Sequence, residues 1–289
     1  MPFAFKWRLL LYQFRKELNL PYRNNDHQLN IFLTIILLRH NGYLLEEHPD
    51  SYTAELYPEN KSAHTVTLRK YPSSDCDVFN EVFTIKEYQP LVDLVKTNLN
   101  QQDCQALNIL DAGANIGITT IFLHSFFPDA NFIVVEPDSD NFDLLKNNLQ
   151  HAKIENCLHV QGGIWDSNTD LEIVSDFRDK KEWSLRVVES PVCTGLKGYS
   201  VNSLMEMANF SIIDIFKIDI EGAEKQLFQD HRLASAFLSR TKFLALEIHD
   251  EFDCRRNVEQ CLRKNNFEFV DINKSLFAVN RNLVPTNNE

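Results

Sequence analysis

With 289 residues, 44 % of them hydrophobic and 24 % charged, the chain has the make-up of a packed globular protein: one large domain, or one domain with a small accessory region. A net charge of −12 argues against a broad nucleic-acid surface, which needs clustered Lys and Arg, but leaves room for a small ligand that carries a nucleoside. The six cysteines are scattered with no Cys-x-x-Cys pair, which speaks against a disulfide scaffold or a zinc site and for reduced thiols in a cytoplasm.

In chain order, residues 4–18 and 27–40 have helical spacing. Lys6, Arg8, Arg15 and Lys16 break up the first stretch, so it lacks the continuous apolar core of a secretory signal. The apolar run Leu29–Leu38 is about half the length of a bilayer span and predicts a buried helix, not a transmembrane segment. The basic first helix is expected to dock on the protein body, with peripheral contact to a membrane surface as the alternative. After Asn41-Gly42, the runs Tyr43–Leu45, Thr53–Tyr57 and Thr65–Leu68 predict short strands, and Gln89–Thr97 predicts a helix. The expected division is an accessory region over 1–100, a second domain over 101–284 and a fraying tail over 285–289.

From Leu107 onward short apolar runs alternate with helical stretches. Strands are predicted at 107–111, 131–136, 157–161, 214–220 and 242–249, and helices at 117–127, 139–150, 202–209, 222–230 and 254–265. Phe267–Ile272 and Ser275–Asn280, joined by Asn273-Lys274, predict a closing hairpin. The expected fold class is therefore α/β: a seven-stranded, mostly parallel, Rossmann-like sheet with helices on both faces, preceded by a mixed α+β region.

The strongest motif is NILDAGANIGITT, residues 108–120. A buried strand ends at Asp111 and turns through Gly113, Ala114, Asn115 and Gly117 into an apolar helix. Gly113 allows close backbone approach to a ligand, and Gly117 allows the helix to pack on the strand. The next strand, followed by Pro137, ends in Glu136, an acid suited to hold both hydroxyls of a ribose; it follows Asp111 by 25 residues (136 − 111). A dinucleotide fingerprint would carry glycine where Asn115 stands. Asp111 would repel a pyrophosphate and attract a ligand bearing an ammonium and a sulfonium, so the charge pattern favours S-adenosylmethionine over NAD.

A second cluster lies in IIDIFKIDIEGAEKQLF, residues 212–228, and KFLALEIHDE, residues 242–251. Alternation puts Lys217, Asp219 and Glu221 on one face of the first strand, and Glu247 and His249 on one face of the second. Asp219 is expected beside the reactive end of the cofactor. Asp219, Glu221, Glu247 and His249 are the candidate catalytic residues, supplying the acid or base that oxygen methylation requires. Asp219, Glu247 and His249 are also suitable ligands for a divalent cation, though spacing alone does not show that they converge. Lys217 is expected to pair with a carboxylate, and His249 is as well suited to the surface as to the site.

LDAGANIG, VVEPD, LLKNNL, FKIDIEGAE and LALEIH together resemble the FkbM-type methyltransferases over about residues 105–250. The resemblance implies a class I methyltransferase fold, S-adenosylmethionine as donor, and oxygen methylation of a sugar, glycolipid or natural-product hydroxyl; the net charge adds the expectation of no nucleic-acid partner. It also implies that Asp111, Gly113, Asn115 and Gly117 form the cofactor turn, that Glu136 holds the ribose, that Gly163 and Ile164 pass the adenine, and that Asp219, Glu221 and Glu224 form the acidic motif. One departure is Ser200-Val201-Asn202, where the family carries Thr-Leu-Asp; Asn202 is expected to keep the capping role of that Asp. Asp75, Asp77, Glu81 and Tyr88 are candidates to fold over the cofactor mouth, although an acidic helix start with Val78, Phe79, Val82 and Phe83 as core is the favoured reading there; Trp165, Trp183, Arg186 and Tyr199 are candidates to meet the acceptor. A nicotinamide-dependent oxidoreductase and a catalytically silent cofactor-binding relative are the competing readings.

Overall fold

Asp230 and Asp138 each accept hydrogen bonds from two backbone amides ahead of them, and the helices that follow start where these side chains satisfy the free donors. The computed structural model describes residues 42–57, 63–70, 72–100, 102–174 and 185–286, together with Trp7, Leu10, Leu11, Phe14 and Leu18. Apart from those five positions, the helices expected at 4–18 and 27–40 lie outside the described residues, as do Trp183 and the end of the tail. No helix among the described residues is long and apolar enough to cross a membrane.

The chain opens with an antiparallel sheet of β1 (Tyr43–Glu47), β2 (Ser51–Leu56) and β3 (His64–Arg69). β2 and β3 alternate buried and half-buried side chains, as strands with one covered face do. Helix α1 (Asp75–Phe79) runs on into a π-helical turn over Asn80–Ile85, and α2 (Gln89–Asn98) follows. The central sheet has the order β13-β14-β12-β11-β4-β5-β6. Its strands are β4 (Asn108–Ala112), β5 (Asn131–Glu136), β6 (Cys157–Gln161), β11 (Ile213–Ile218), β12 (Thr241–Glu247), β13 (Phe267–Ile272) and β14 (Ser275–Asn280). All neighbours pair in parallel except β14, which is antiparallel to both β12 and β13. This is the expected sheet, and β5, β6, β13 and β14 have the predicted bounds.

Successive residues of the central strands feed two cores, as pleating requires: Ile109 and Ile215 pack with one, Leu110 and Phe216 with the other. The first core holds α2, α3 (Ile118–Phe126), α4 (Ser139–His151) and the N-terminal sheet, so the accessory region shares a core with the central sheet. The second holds α5 (Val201–Met207), α6 (Glu224–Leu227), α7 (His231–Leu238) and α8 (Arg255–Lys264). Three details depart from expectation. The helix expected over 222–230 is the short α6, and α7 follows it as a separate helix. A small sheet ordered β7-β10-β8-β9 stands between β6 and α5, from β7 (Gly163–Ile164), β8 (Thr169–Val174), β9 (Arg186–Glu189) and β10 (Leu196–Tyr199). The cap of α5 is Ser200, which accepts from the Ser203 amide at 3.1 Å, while Asn202 lies inside the helix.

Candidate active site

β4 leads to β5 on one side, and the chain later returns to β11 on the other side of β4, so the loops after β4 and β11 diverge and leave a crevice. A cavity of about 770 Å³ opens there. Gly113 is required at this crossing: its φ is +72°, and a Cβ would fall 1.8 Å from the Asp219 carbonyl oxygen. Gly117, with φ +85°, starts α3 and meets Leu145 and Leu149 instead of the cavity. Ala114 and Asn115 line the cavity wall between the two glycines.

Glu136 lines the same cavity while being 5 % exposed. Its Oε2 accepts from the Asn115 amide at 2.8 Å and its Oε1 from the Asp138 amide at 3.0 Å. Burial raises its pKa to about 7, against the pull of those amides and the Asn141 side chain. Pro137, Gly163 and Ile164 also line the cavity.

Asp111 is placed differently from expectation. It is fully buried and absent from the cavity wall, pairs with the Lys217 ammonium at 3.2 Å and accepts the Thr120 hydroxyl at 2.6 Å. The parallel register sets Lys217 directly beside Asp111. Lys217 Nζ also donates to the Gly113 carbonyl at 2.7 Å and the Ala112 carbonyl at 3.2 Å, so this pair holds the glycine turn from below. Burial opposes the lysine's charge, but Asp111 and Asp219 outweigh it and raise its pKa. Neutralised in this way, Asp111 does not select a ligand by charge.

Asp219, Glu221 and Glu247 line the cavity; His249 does not. Its ring is buried behind the wall, with Nδ1 2.9 Å from Glu224 Oε1 and Nε2 3.2 Å from Glu221 Oε2. Burial disfavours the imidazolium, but these hydrogen bonds, with the charges of Glu224 and Asp219, raise its pKa to about 11. His249 is therefore buried between two carboxylates, which favour its imidazolium, and is not a surface residue. Glu224 is itself fully buried and also accepts the Ile220 amide at 3.2 Å. Glu221 sits at φ +51°, a left-handed conformation held by the surrounding loop. Asp219, Glu247 and His249 each offer a ligand atom within 4.8 Å of the others, so they do converge.

Glu247 differs from its neighbours. It is 8 % exposed, and burial together with Asp219 raises its pKa to about 8, against the nearby ammonium of Lys274 at 3.3 Å and the His249 cation. Lys274, at the apex of the β13–β14 hairpin, also approaches Glu81 at 3.5 Å and Glu87 at 3.7 Å. Burial raises the pKa of both of these acids too. Lys274 and Glu87 were not singled out from the sequence, where a turn lysine and a loop acid look like solvated surface. Glu81 and Tyr88 line the cavity, whereas Asp75 is buried against Arg69, and Phe79 and Phe83 are core as the favoured reading had it. Trp165, Arg186 and Tyr199 do not line it, and that segment contributes Leu185 and Val187 instead.

The sheet order, the single reversed strand and a crevice beside the first βα turn define a class I methyltransferase fold. The methyltransferase FkbM domain matches residues 111–277, more than half of the chain. The chain belongs to this family and is an S-adenosylmethionine-dependent methyltransferase. No curated protein sequence matches it. Among solved structures it is similar to precorrin-6y C5,15-methyltransferase from Geobacter metallireducens GS-15, with 11 % identity, 66 % of this chain and 86 % of that one covered, and a TM-score of 0.39. It is also similar to an rRNA methylase from Streptococcus thermophilus, with 14 % identity, coverage of 66 % and 92 %, and a TM-score of 0.40. For the N-terminal domain of human METTL16 in complex with SAH, the values are 12 %, 67 %, 68 % and 0.41. Likenesses this distant bear on neither acceptor nor mechanism.

Proposed function

We propose that this protein methylates a hydroxyl group of a sugar, glycolipid or natural-product acceptor, with Glu247 as the residue that receives the hydroxyl proton. The residues present fit S-adenosylmethionine. Gly113, Ala114 and Asn115 line the cavity at the turn, and Glu136, Pro137, Gly163 and Ile164 line the wall that would take a nucleoside. In this reading Glu136 holds the ribose hydroxyls, Gly163 and Ile164 flank the base, and Asp219 lies by the methionine end. When bound, the cofactor supplies an electrophilic methyl group on a sulfonium.

The chain's own part is to orient the acceptor oxygen and take its proton. The observation that carries the reading is Glu247, a cavity-lining carboxyl with its pKa near 8 and thus matched to proton transfer near neutral pH. Of the four candidates, His249 lies behind the wall between Glu221 and Glu224, whereas Glu247 lines the cavity and is the one we assign as base. Glu81, Glu87 and Glu247 surround the Lys274 ammonium. With Asp219, Glu221, Asp250 and Glu251, the acids of the wall outnumber Lys274 and Arg255, an excess that disfavours phosphodiester strands and suits a neutral acceptor. The test is labelled methyl transfer from S-adenosylmethionine to a panel of neutral glycans and polyols, their phosphorylated forms, and RNA. The reading expects product from neutral members alone; methylated RNA would refute it.

A further inference from the structure

α4 carries Asn141 and Asn148 two turns apart on one face, and both are fully buried. Asn148 accepts the Thr67 amide at 2.7 Å and donates to the Thr67 carbonyl at 3.1 Å and the Ile116 carbonyl at 2.9 Å, tying β3 to the glycine turn. The neighbouring contact goes further. Arg69, at the end of β3, is held by Asp75: Nε lies 3.0 Å from Oδ2 and Nη2 2.8 Å from Oδ1. Its Nη2 also donates to Asn141 Oδ1 at 2.6 Å. A guanidinium only donates, so Asn141 must turn its oxygen to Arg69 and its amide nitrogen away. That nitrogen faces Glu136 Oε1 at 3.4 Å.

We propose that Arg69, on the N-terminal sheet, is a positioning residue for cofactor binding that acts through Asn141 to hold Glu136 as an oriented carboxylate. The proposal rests on Glu136 being the ribose acid. A carboxylate accepts from both ribose hydroxyls, whereas its protonated form spends one oxygen as a donor. Burial favours that protonated form, and the Asn141 amide opposes it. The charged groups facing Glu136 are Asp138 at the start of α4, which favours protonation, and Lys217 on β11, already tied to Asp111. The Asp75–Arg69–Asn141 chain thus makes the accessory sheet part of the cofactor site although no residue of that sheet lines the cavity.

The experiment is isothermal titration of the full-length protein with adenosylhomocysteine from about pH 5.5 to 9. Wild type, Arg69→Met, Asn141→Leu and Glu136→Gln are compared. Wild-type affinity should rise with pH as Glu136 ionises. Arg69→Met and Asn141→Leu should each weaken binding roughly three- to tenfold at neutral pH, move the acidic midpoint upward by about half a unit to one unit, and regain affinity at high pH. Asn141→Leu leaves the Asp75–Arg69 pair intact, so it serves if Arg69→Met fails to fold. An unchanged pH profile in Asn141→Leu, or a uniform loss at every pH, overturns the proposal. If Glu136→Gln flattens the profile while the other two leave it unmoved, only the relay fails; if Glu136→Gln binds like wild type, the ribose-acid reading itself fails.

Discussion

The two halves of the cavity are built by different means. The half we assign to the cofactor is made of loops at strand ends, and its ribose-side carboxylate, Glu136, is held by two backbone amides. The half we assign to the acceptor is assembled from acids distant in sequence, Glu81, Glu87 and Glu247, gathered round one lysine from the closing hairpin. Backbone donors fixed by a fold suit a ligand that never changes. Carboxylates raised in pKa by burial and by each other suit proton transfer and the choice of an acceptor.

The largest effect that would sharpen this contrast is on turnover. Glu247→Gln should lower kcat by about 10²–10⁴-fold while leaving adenosylhomocysteine affinity within about twofold, because the proton acceptor goes and the cofactor wall stays. A comparable loss of cofactor affinity would erase the division between halves. In wild type, kcat/KM should rise with pH through about 8, where the Glu247 carboxyl ionises.

Next comes His249. Its replacement by Ala leaves buried Glu224 without its imidazolium partner and should cost about 3–5 kcal/mol in urea denaturation. Because the folded-state pKa is raised, its stabilising effect is complete below about 6.5 and fades as pH climbs towards about 11.

His64, outside both halves, has the opposite sign. It is 1 % exposed, and burial and the nearby His124 ring hold its pKa near 4. The native state therefore binds fewer protons: its contribution is intact above about 6.5 and lost as pH falls towards about 4, up to about 3 kcal/mol. Melting temperatures of wild type and His64→Leu across that window should converge as the pH falls; parallel curves would refute the assignment.

The smallest effect is at Ser200. Ser200→Ala removes the α5 cap and should cost about 1 kcal/mol with cofactor affinity unchanged.

The same contrast explains what the sequence disclosed. NILDAGANIG and VVEPD are continuous and their residue types are dictated by backbone geometry, so the glycine turn and the place of Glu136 at the crevice were legible. The neutralisation of Asp111 was legible only in part: an ion pair for Lys217 was expected, but its partner depends on the register between β11 and β4. Lys274 reaches Glu247 through the pairing of β14 with β12, which no local pattern encodes. The small sheet around Gly163–Tyr199 was missed because its strands are short and mixed in burial. α7 had a readable signal, an Asp cap before Ala234, Phe237 and Leu238 at helical spacing, but the expected helix stops at 230 and none is predicted over His231–Leu238.

The central claim is that one crevice holds the donor on Glu136 and presents the acceptor to Glu247. A crystal structure of the complex with adenosylhomocysteine tests it most directly. The account predicts both ribose hydroxyls within about 3.2 Å of Glu136, with the homocysteine sulfur facing the space between Asp219 and Glu247. A ligand bound elsewhere, or a ribose out of hydrogen-bonding reach of Glu136, would contradict it.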